Sequence, residues 1–147
     1  MKINRATDYG VRLMVYLATE GGKTVPRAEV SSAMDIPSEF LAKIAQHLAR
    51  AGLLEIKQGR MGGYRLKRSP EEITLLEIVE ALEGEIFLNI CVGDPKACRF
   101  SSTCKVHLVW KAAREGLRDL LGSIRLTNLI IKERPLQNSQ ERCCKYN

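Results

Sequence analysis

The amino-acid sequence predicts a mainly α-helical fold with a small β-hairpin wing, in which a winged helix-turn-helix precedes a long dimerisation helix. Three observations predict it. Residues 26–52 hold two helical patterns separated by a short break. Two β-like runs joined by a glycine-bearing loop follow directly, and residues 103–124 repeat apolar side chains at helical spacing. At 147 residues, the chain has room for a small domain with an appended dimerisation element.

The first predicted element is an amphipathic helix in TDYGVRLMVYLATEGG, residues 7–22. We expect Thr7 to be its N-cap, because a threonine hydroxyl can accept a hydrogen bond from a free backbone N–H of the first turn. We expect Gly21 and Gly22 to end it, since glycine readily adopts the left-handed conformation that terminates helices.

The predicted helix-turn-helix lies in PRAEVSSAMDIPSEFLAKIAQHLARAG, residues 26–52. Pro26 is suited to open the first helix, and Pro37 disfavours helical geometry in the residue before it. We expect Ser38 to cap the second helix, with Glu39 near its positive end. The second helix has an apolar stripe of Leu41, Ile44 and Leu48 and a polar face of Lys43, Gln46, His47 and Arg50.

A hairpin is predicted by the runs LLEIKQG and YRLKRS, which RMGG separates. Its tip carries the long polar side chains of Lys57, Gln58 and Arg60. This order is typical of winged-helix proteins, whose second helix enters the major groove while the wing contacts the backbone or minor groove. The alternative interpretation is a small helical domain with an ordinary solvated hairpin.

A joining helix is predicted in SPEEITLLEIVEALEG, where Thr74 and Glu77 have the spacing of a capping box and Gly84 ends the helix. We therefore assign residues 1–84 to a winged helix-turn-helix domain that includes this joining helix.

The long helical pattern from about Thr103 to Ile124 predicts a helix that packs on another helix. Its apolar residues recur at intervals of 4, 3, 4, 3 and 4, the spacing of a coiled-coil seam. One such helix would leave its seam exposed, so we expect a homodimer. Residues 85–132 then form a cysteine-bearing loop and dimerisation helix, and the polar residues 133–147 a disordered tail. The seam consists of Val106, Trp110, Ala113, Leu117, Leu120 and Ile124.

Positive charge is concentrated in the first half of the chain. Residues 1–70 carry 12 Lys and Arg against 6 Asp and Glu, whereas residues 71–147 carry 11 of each. This asymmetry favours a nucleic-acid partner for the first half.

The sequence offers little for catalysis or membrane insertion. It contains neither a nucleophile–base pair nor a phosphate-binding loop, so we do not expect an enzyme. The first residues lack an unbroken apolar run, so we expect no signal peptide or membrane span and a cytoplasmic location. In a reducing compartment, clustered cysteines indicate metal or redox chemistry more than disulfides.

Such a cluster lies in CVGDPKACRFSSTCKVH, which places Cys91, Cys98, Cys104 and His107 within seventeen residues. A Cys-x-x-His step at a helix start puts both side chains on one face, and thiolate and imidazole are ligands of soft or borderline metals. The spacing matches neither bacterial ferredoxins nor paired zinc knuckles, which leaves zinc and iron-sulfur both open. Buried inert cysteines are the alternative, although their neighbours are mostly polar.

Taken together, TDYGVRLMVYLA, the helix-turn-helix, the GxxGGYRL wing and three cysteines before a long helix resemble the Rrf family of bacterial winged-helix regulators. The similarity covers about residues 1–132 and is strongest to the iron-sulfur branch of IscR, NsrR and RirA. It implies a homodimer that binds palindromic operators and has a 2Fe-2S or 4Fe-4S cluster near the dimer interface. The state of this cluster, which would reflect cluster supply, iron, nitric oxide or redox state, would control operator affinity.

The resemblance also implies the cluster ligands. Cys91, Cys98 and Cys104 match the three cysteine ligands, although the first gap has six residues where the IscR pattern has five. His107 matches the histidine of IscR-like proteins, and we favour it as the fourth ligand. Asp8 matches the aspartate that an NsrR-like cluster takes from the partner subunit, and is the alternative.

For DNA contacts, the resemblance implies Ser38, Glu39, Lys43 and Gln46 in the recognition helix and Arg60 in the wing. Ala42 stands where IscR-like proteins have a base-contacting glutamate, so the operator sequence does not carry over. Two competing functions remain: a zinc-structured DNA-binding protein without a sensing role, and an iron-sulfur electron-transfer protein.

Overall fold

A computed structural model of the chain describes residues 3–130. The predicted tail of residues 133–147 lies outside the described residues, and so do Cys143 and Cys144. In the described part, the elements are α1 (Arg5–Thr19), α2 (Arg27–Met34), α3 (Ser38–Arg50), β1 (Leu54–Lys57), β2 (Gly63–Leu66), α4 (Leu75–Glu83), α5 (Ile90–Gly93), α6 (Lys105–Ser123) and α7 (Leu126–Leu129). The predicted mainly helical fold with one antiparallel hairpin is confirmed.

The winged half, residues 3–74, has one hydrophobic core between helices α1, α2 and α3 and the hairpin of β1 and β2. Helices α1 and α3 contribute apolar residues at helical spacing, so each buries one stripe, as predicted for α3. The hairpin joins this core because Tyr64 and Val25 exchange backbone hydrogen bonds of 2.8 and 2.9 Å. Its strands pair from Leu54 with Leu66 to Lys57 with Gly63. The fully buried side chains of this core include Leu13, Met14, Val30, Ile36, Leu41, Leu48 and Ile73.

Two predicted helix caps are wrong. Asn4 is the N-cap of α1, and its side-chain oxygen accepts a hydrogen bond from the Thr7 backbone N–H at 3.0 Å. Thr7 is buried instead, and its hydroxyl donates to the Glu83 carboxylate at 2.6 Å. At α3, Pro37 already has an extended backbone and occupies the N-cap, so Ser38 is the first helical residue. In both cases the helix begins earlier than the sequence predicts.

Helix α4 lies between the winged half and α6. Its predicted capping box is confirmed: the Glu77 backbone N–H donates to the Thr74 hydroxyl at 3.2 Å, and the Thr74 backbone N–H donates to the Glu77 carboxylate at 2.8 Å. At its other end, Glu83 accepts hydrogen bonds from Thr7 and from the Asn4 backbone N–H at 3.0 Å. One turn earlier, Glu80 pairs with Arg118 of α6.

Helix α6 is two residues shorter at its start and one at its end than predicted. None of its residues is buried by the described part of the chain. Along the predicted seam, Val106, Trp110 and Leu120 are 56%, 38% and 58% exposed. After α6 the chain returns to the core at α7. The Leu126 backbone N–H donates to the Ile73 carbonyl at 2.9 Å, and the Leu126 side chain is fully buried. The described residues contain no helix long and apolar enough to cross a bilayer.

The Glu77 carboxylate supplies a pH-dependent part of the stability. Burial raises the pKa of Glu77, but hydrogen bonds from Thr74 and Arg68 outweigh it and leave the pKa below its usual value. A depressed folded-state pKa stabilises the fold above the unfolded-state pKa, and this contribution is lost as pH falls through the folded-state pKa.

We therefore expect Glu77→Gln to lower the free energy of unfolding by up to about 1 kcal/mol at neutral pH, because the amide loses the charge-assisted bond to Arg68. The difference from the unsubstituted chain should shrink below about pH 4. Urea denaturation at about pH 7 and below about pH 4 measures this difference in the free energy of unfolding. Glu71 is exposed, so Glu71→Gln serves as the control and should show little difference at either pH. A deficit that does not change with pH would contradict the assignment.

Candidate DNA interface and metal-binding loop

The turn between α2 and α3 sets the direction of the predicted recognition helix. Asp35 has a left-handed backbone, with φ of 50°, which ends α2. The Ile36 backbone N–H donates to the Ser31 carbonyl at 3.1 Å, and the Ser31 hydroxyl donates to the Ile36 carbonyl at 2.6 Å. Because the Ile36 side chain is buried, the turn is fixed to the core. The side chains predicted to contact DNA from α3 are all exposed: Ser38, Glu39, Lys43 and Gln46.

The wing presents its basic side chains at the tip. The Gly62 backbone N–H donates to the Gly59 carbonyl at 3.0 Å, which closes the loop around Arg60. Arg60 is exposed, as are Lys57 and Gln58 beside it. Lower in the hairpin, Arg65 pairs with Glu55 across the strands at 2.6 Å, and its hydrogen bond lowers the pKa of that carboxyl. Arg65 is thus paired within the hairpin, whereas Lys57 and Arg60 leave exposed positive charge at the tip.

The cysteine loop, residues 85–104, connects α4 to α6. Cys91 lies in α5, Cys98 follows a 3₁₀ turn, Pro95–Ala97, and Cys104 is the N-cap of α6. All three are half-buried free thiols. Local hydrogen bonds shape the loop, since Asp94 accepts from the Lys96 backbone N–H at 2.9 Å and the Cys104 backbone N–H donates to the Phe100 carbonyl at 2.8 Å.

The structure brings the two ends of the cysteine motif together. The His107 Nδ1 atom lies 3.4 Å from the Cys91 Sγ atom. His107 and Cys98 also line a cavity of about 450 Å³, together with Pro95, Lys96, Arg99, Ser101 and Ser102. Cys104 precedes His107 by three residues at the start of α6. The imidazole thus contacts Cys91 and shares a cavity with Cys98, while Cys104 is its neighbour in sequence.

The donor set fits a thiophilic metal, since three thiols and an imidazole are ligand types of zinc and of iron. Between residues 3 and 130, however, no three Cys, His, Asp or Glu side chains have converged into a metal-binding arrangement. The predicted ligands therefore lie on the cysteine loop and in the first turn of α6 and do not form an assembled coordination sphere.

Asp8, the alternative ligand, occupies a different position. It lies in the first turn of α1 and pairs with Arg12 at 2.7 Å. It borders an apolar groove between α1, α4 and α6, which Leu117 and Leu121 also line. Within one chain, the structure does not group Asp8 with the cysteines.

Two residues near these sites were missed by the sequence analysis. Phe40 is a large aromatic side chain that is 52% exposed on α3, which its position outside the buried stripe could have indicated. Arg114 of α6 pairs with Glu85 and donates through Nε to the Ile86 carbonyl at 2.8 Å. No local pattern predicts that contact, because its partners are 28 and 29 residues away.

A winged helix-turn-helix followed by a cysteine-bearing loop and a long helix defines a winged-helix DNA-binding regulator. The chain belongs to the Rrf2 family, described as iron-dependent transcriptional regulators, whose pattern matches residues 3–132. The predicted resemblance is therefore confirmed.

Relatives in several bacteria match nearly the whole chain. Protein aau3 of Rhizobium meliloti is 32% identical over 139 residues, covering 94% of this chain and 90% of that protein. The HTH-type transcriptional regulator NsrR of Bacillus licheniformis is 29% identical, with 90% and 94% covered. IscR of Xenorhabdus nematophila is 28% identical, with 88% and 79% covered.

Solved structures share the fold. CymR, the global cysteine regulator of B. subtilis, superposes with a TM-score of 0.73 at 24% identity, covering 91% of this chain and 99% of that one. IscR of T. potens gives 0.70 at 24% identity, with 96% and 94% covered. The chain is thus a DNA-binding transcription regulator, and the prediction that it is not an enzyme agrees with its relatives.

The exposed guanidinium of Arg60 leads to a prediction on salt dependence. Arg60→Ala should weaken binding to many DNA sequences and reduce the slope of log affinity against log salt by about 0.9 per lost phosphate contact. Fluorescence anisotropy over a salt series measures this slope. Lys111→Ala removes the same charge from α6 and should leave the slope unchanged. An unchanged slope in Arg60→Ala would remove Arg60 from the interface.

Proposed function

We propose that this chain is a cytoplasmic, homodimeric transcription regulator whose affinity for a palindromic operator is controlled by a bound iron-sulfur cluster. The observation that carries the proposal is the proximity of His107 to Cys91, 3.4 Å between Nδ1 and Sγ, beside a cavity that Cys98 also lines. A regulator with an inert loop would need no such group of thiols and imidazole at the junction of its two halves.

Support for the homodimer comes from α6. Its apolar seam is exposed along Val106, Trp110 and Leu120, and burial of such side chains is the main driving force for helix association. A two-fold axis between the seams of two α6 helices would relate two winged halves. Two recognition helices related in this way contact two half-sites of opposite orientation, which is the reason for expecting a palindrome.

The residues that would hold the cluster are Cys91, Cys98, Cys104 and His107. When bound, the cluster supplies a group whose integrity depends on iron supply, nitric oxide or redox state. Lys96 and Arg99 line the same cavity, so they would compensate the negative charge of thiolate ligands. The relatives named NsrR and IscR support this assignment, while the fold shared with CymR shows only the architecture.

Helix α4 offers a route from the loop to the DNA-binding half. Arg114 fixes the beginning of the loop to α6 through Glu85 and the Ile86 carbonyl. Arg118 fixes α6 to Glu80 of α4. Since α4 is bonded to α1 through Glu83, a change in the loop that moves α6 against α4 also moves the winged half. In a dimer, this changes the spacing of the two recognition helices.

A structural zinc site is the second candidate, because three cysteines and one histidine are also a common zinc ligand set. The electron-transfer alternative has no support, since the relatives are transcription regulators.

We expect the full chain, purified without oxygen, to be coloured and to contain iron and sulfide. Its affinity for an operator selected from random DNA should change by about fivefold or more when the cluster is removed by chelation. Cys98→Ser should abolish the cluster and leave the dimer folded, whereas Cys143→Ser, outside the motif, should change neither. A colourless protein with one tightly bound zinc per chain would contradict the cluster. Equal affinity before and after removal would contradict the control of DNA binding.

The fourth ligand is tested in the same preparation. Because His107 adjoins Cys91, His107→Ala should alter the visible spectrum of the cluster and Asp8→Ala should not. An altered spectrum in Asp8→Ala alone would transfer the role to Asp8 of the partner subunit. No change in either variant would place the ligand elsewhere.

A further inference from the structure

Phe40 is an apolar side chain on the polar face of the recognition helix. It is the third residue of α3 and is 52% exposed, while its neighbours Leu41 and Ile44 are buried. Ser38 and Glu39 directly before it are exposed, and so is Lys43, one helical turn after it. Packing of α3 on the rest of the chain therefore leaves about half of Phe40 exposed.

The Phe40 ring packs against α1. The Tyr9 ring meets it edge to face, with 6.4 Å between ring centroids and an interplanar angle of 67°. The Arg12 guanidinium lies over the Tyr9 ring, 5.8 Å from its centroid. Arg12 in turn pairs with Asp8. A ring held in this way loses little conformational entropy on contact with a second surface.

We propose that Phe40 contacts the C5 methyl group of a thymine in each half-site of the operator and selects thymine at that position. The inference rests on the proposed placement of α3 in the major groove, where residues near the helix start contact base edges. A phenyl ring can neither donate nor accept a conventional hydrogen bond. The thymine methyl is the apolar feature of the major-groove edges, so it is the group that complements this ring.

Ala42 agrees with an apolar mode of recognition in this part of the helix. Its side chain is half-buried and has no hydrogen-bonding group, so it leaves the first turns of α3 without a charged base contact between Glu39 and Lys43. Selection of a thymine by Phe40 would supply sequence preference there without such a contact.

The experiment compares duplexes that differ by the methyl group alone. Operators are selected from random DNA with the full chain, and each thymine is then replaced in turn by uracil. One thymine per half-site should show a loss of about threefold to fivefold in affinity, the value of burying one methyl group. Phe40→Ala should bind the thymine and uracil duplexes equally.

Three further variants keep the outcome interpretable. Lys43→Ala should weaken binding to both duplexes and preserve the thymine-to-uracil ratio. If Lys43→Ala and Gln46→Ala leave affinity unchanged, α3 is not in the groove, and the placement itself fails. Thermal denaturation reports whether Phe40→Ala folds. If it does not, Phe40→Leu, which keeps an apolar side chain, replaces it. The thymine-to-uracil affinity ratio of Phe40→Leu should fall below that of the unsubstituted chain. The inference would be overturned if the Phe40 variants kept the thymine-to-uracil affinity ratio of the unsubstituted chain. It would also be overturned if no thymine in the operator were sensitive to replacement by uracil.

Discussion

The carboxylates of α4 connect the two halves of this molecule. Glu83 accepts hydrogen bonds from Thr7 and Asn4 at the start of α1, and Glu80 pairs with Arg118 of α6. The side chains of Glu80 and Arg118 are only 25% and 31% exposed, so their attraction is screened less than that of surface pairs. Since α4 also buries Ile78 and Val79, the winged half and α6 cannot shift independently without breaking these contacts.

The cysteine loop lies between the two helices, α4 and α6, that these contacts join. The loop begins where α4 ends and finishes where α6 begins, so in the proposed regulator a change in the cluster ligands would act on the angle between these helices. Arg114, whose side chain is only 19% exposed, joins the loop to α6 at Glu85 and Ile86. In the proposed dimer, the same helix carries the exposed seam. Ligand binding, dimer geometry and the position of the recognition helix would thus depend on one set of contacts.

Much of the fold follows from local sequence patterns, because helical periodicity, the capping box at Thr74 and the glycine-bearing hairpin each act over a few residues. The wrong cap at Thr7 has the opposite origin: its hydroxyl is taken by Glu83, 76 residues away. For the same reason, the contacts of Arg114 and Arg118 with α4 and the loop were not predictable. The cysteine spacing indicated a metal-binding loop, but only the folded chain reveals that His107 lies beside Cys91.

In the proposed regulator, the loop controls DNA binding through Arg114, which joins the loop to α6, and through Arg118, which joins α6 to Glu80 of α4. The most direct test is the ratio of operator affinities with and without the cluster, measured for the unsubstituted chain, for Arg114→Gln and for Lys111→Gln as the matched control on α6. The account predicts that Arg114→Gln retains its iron and sulfide while its ratio moves toward one by about twofold to thirtyfold. Lys111→Gln should keep the ratio of the unsubstituted chain. An unchanged ratio in Arg114→Gln would contradict the account.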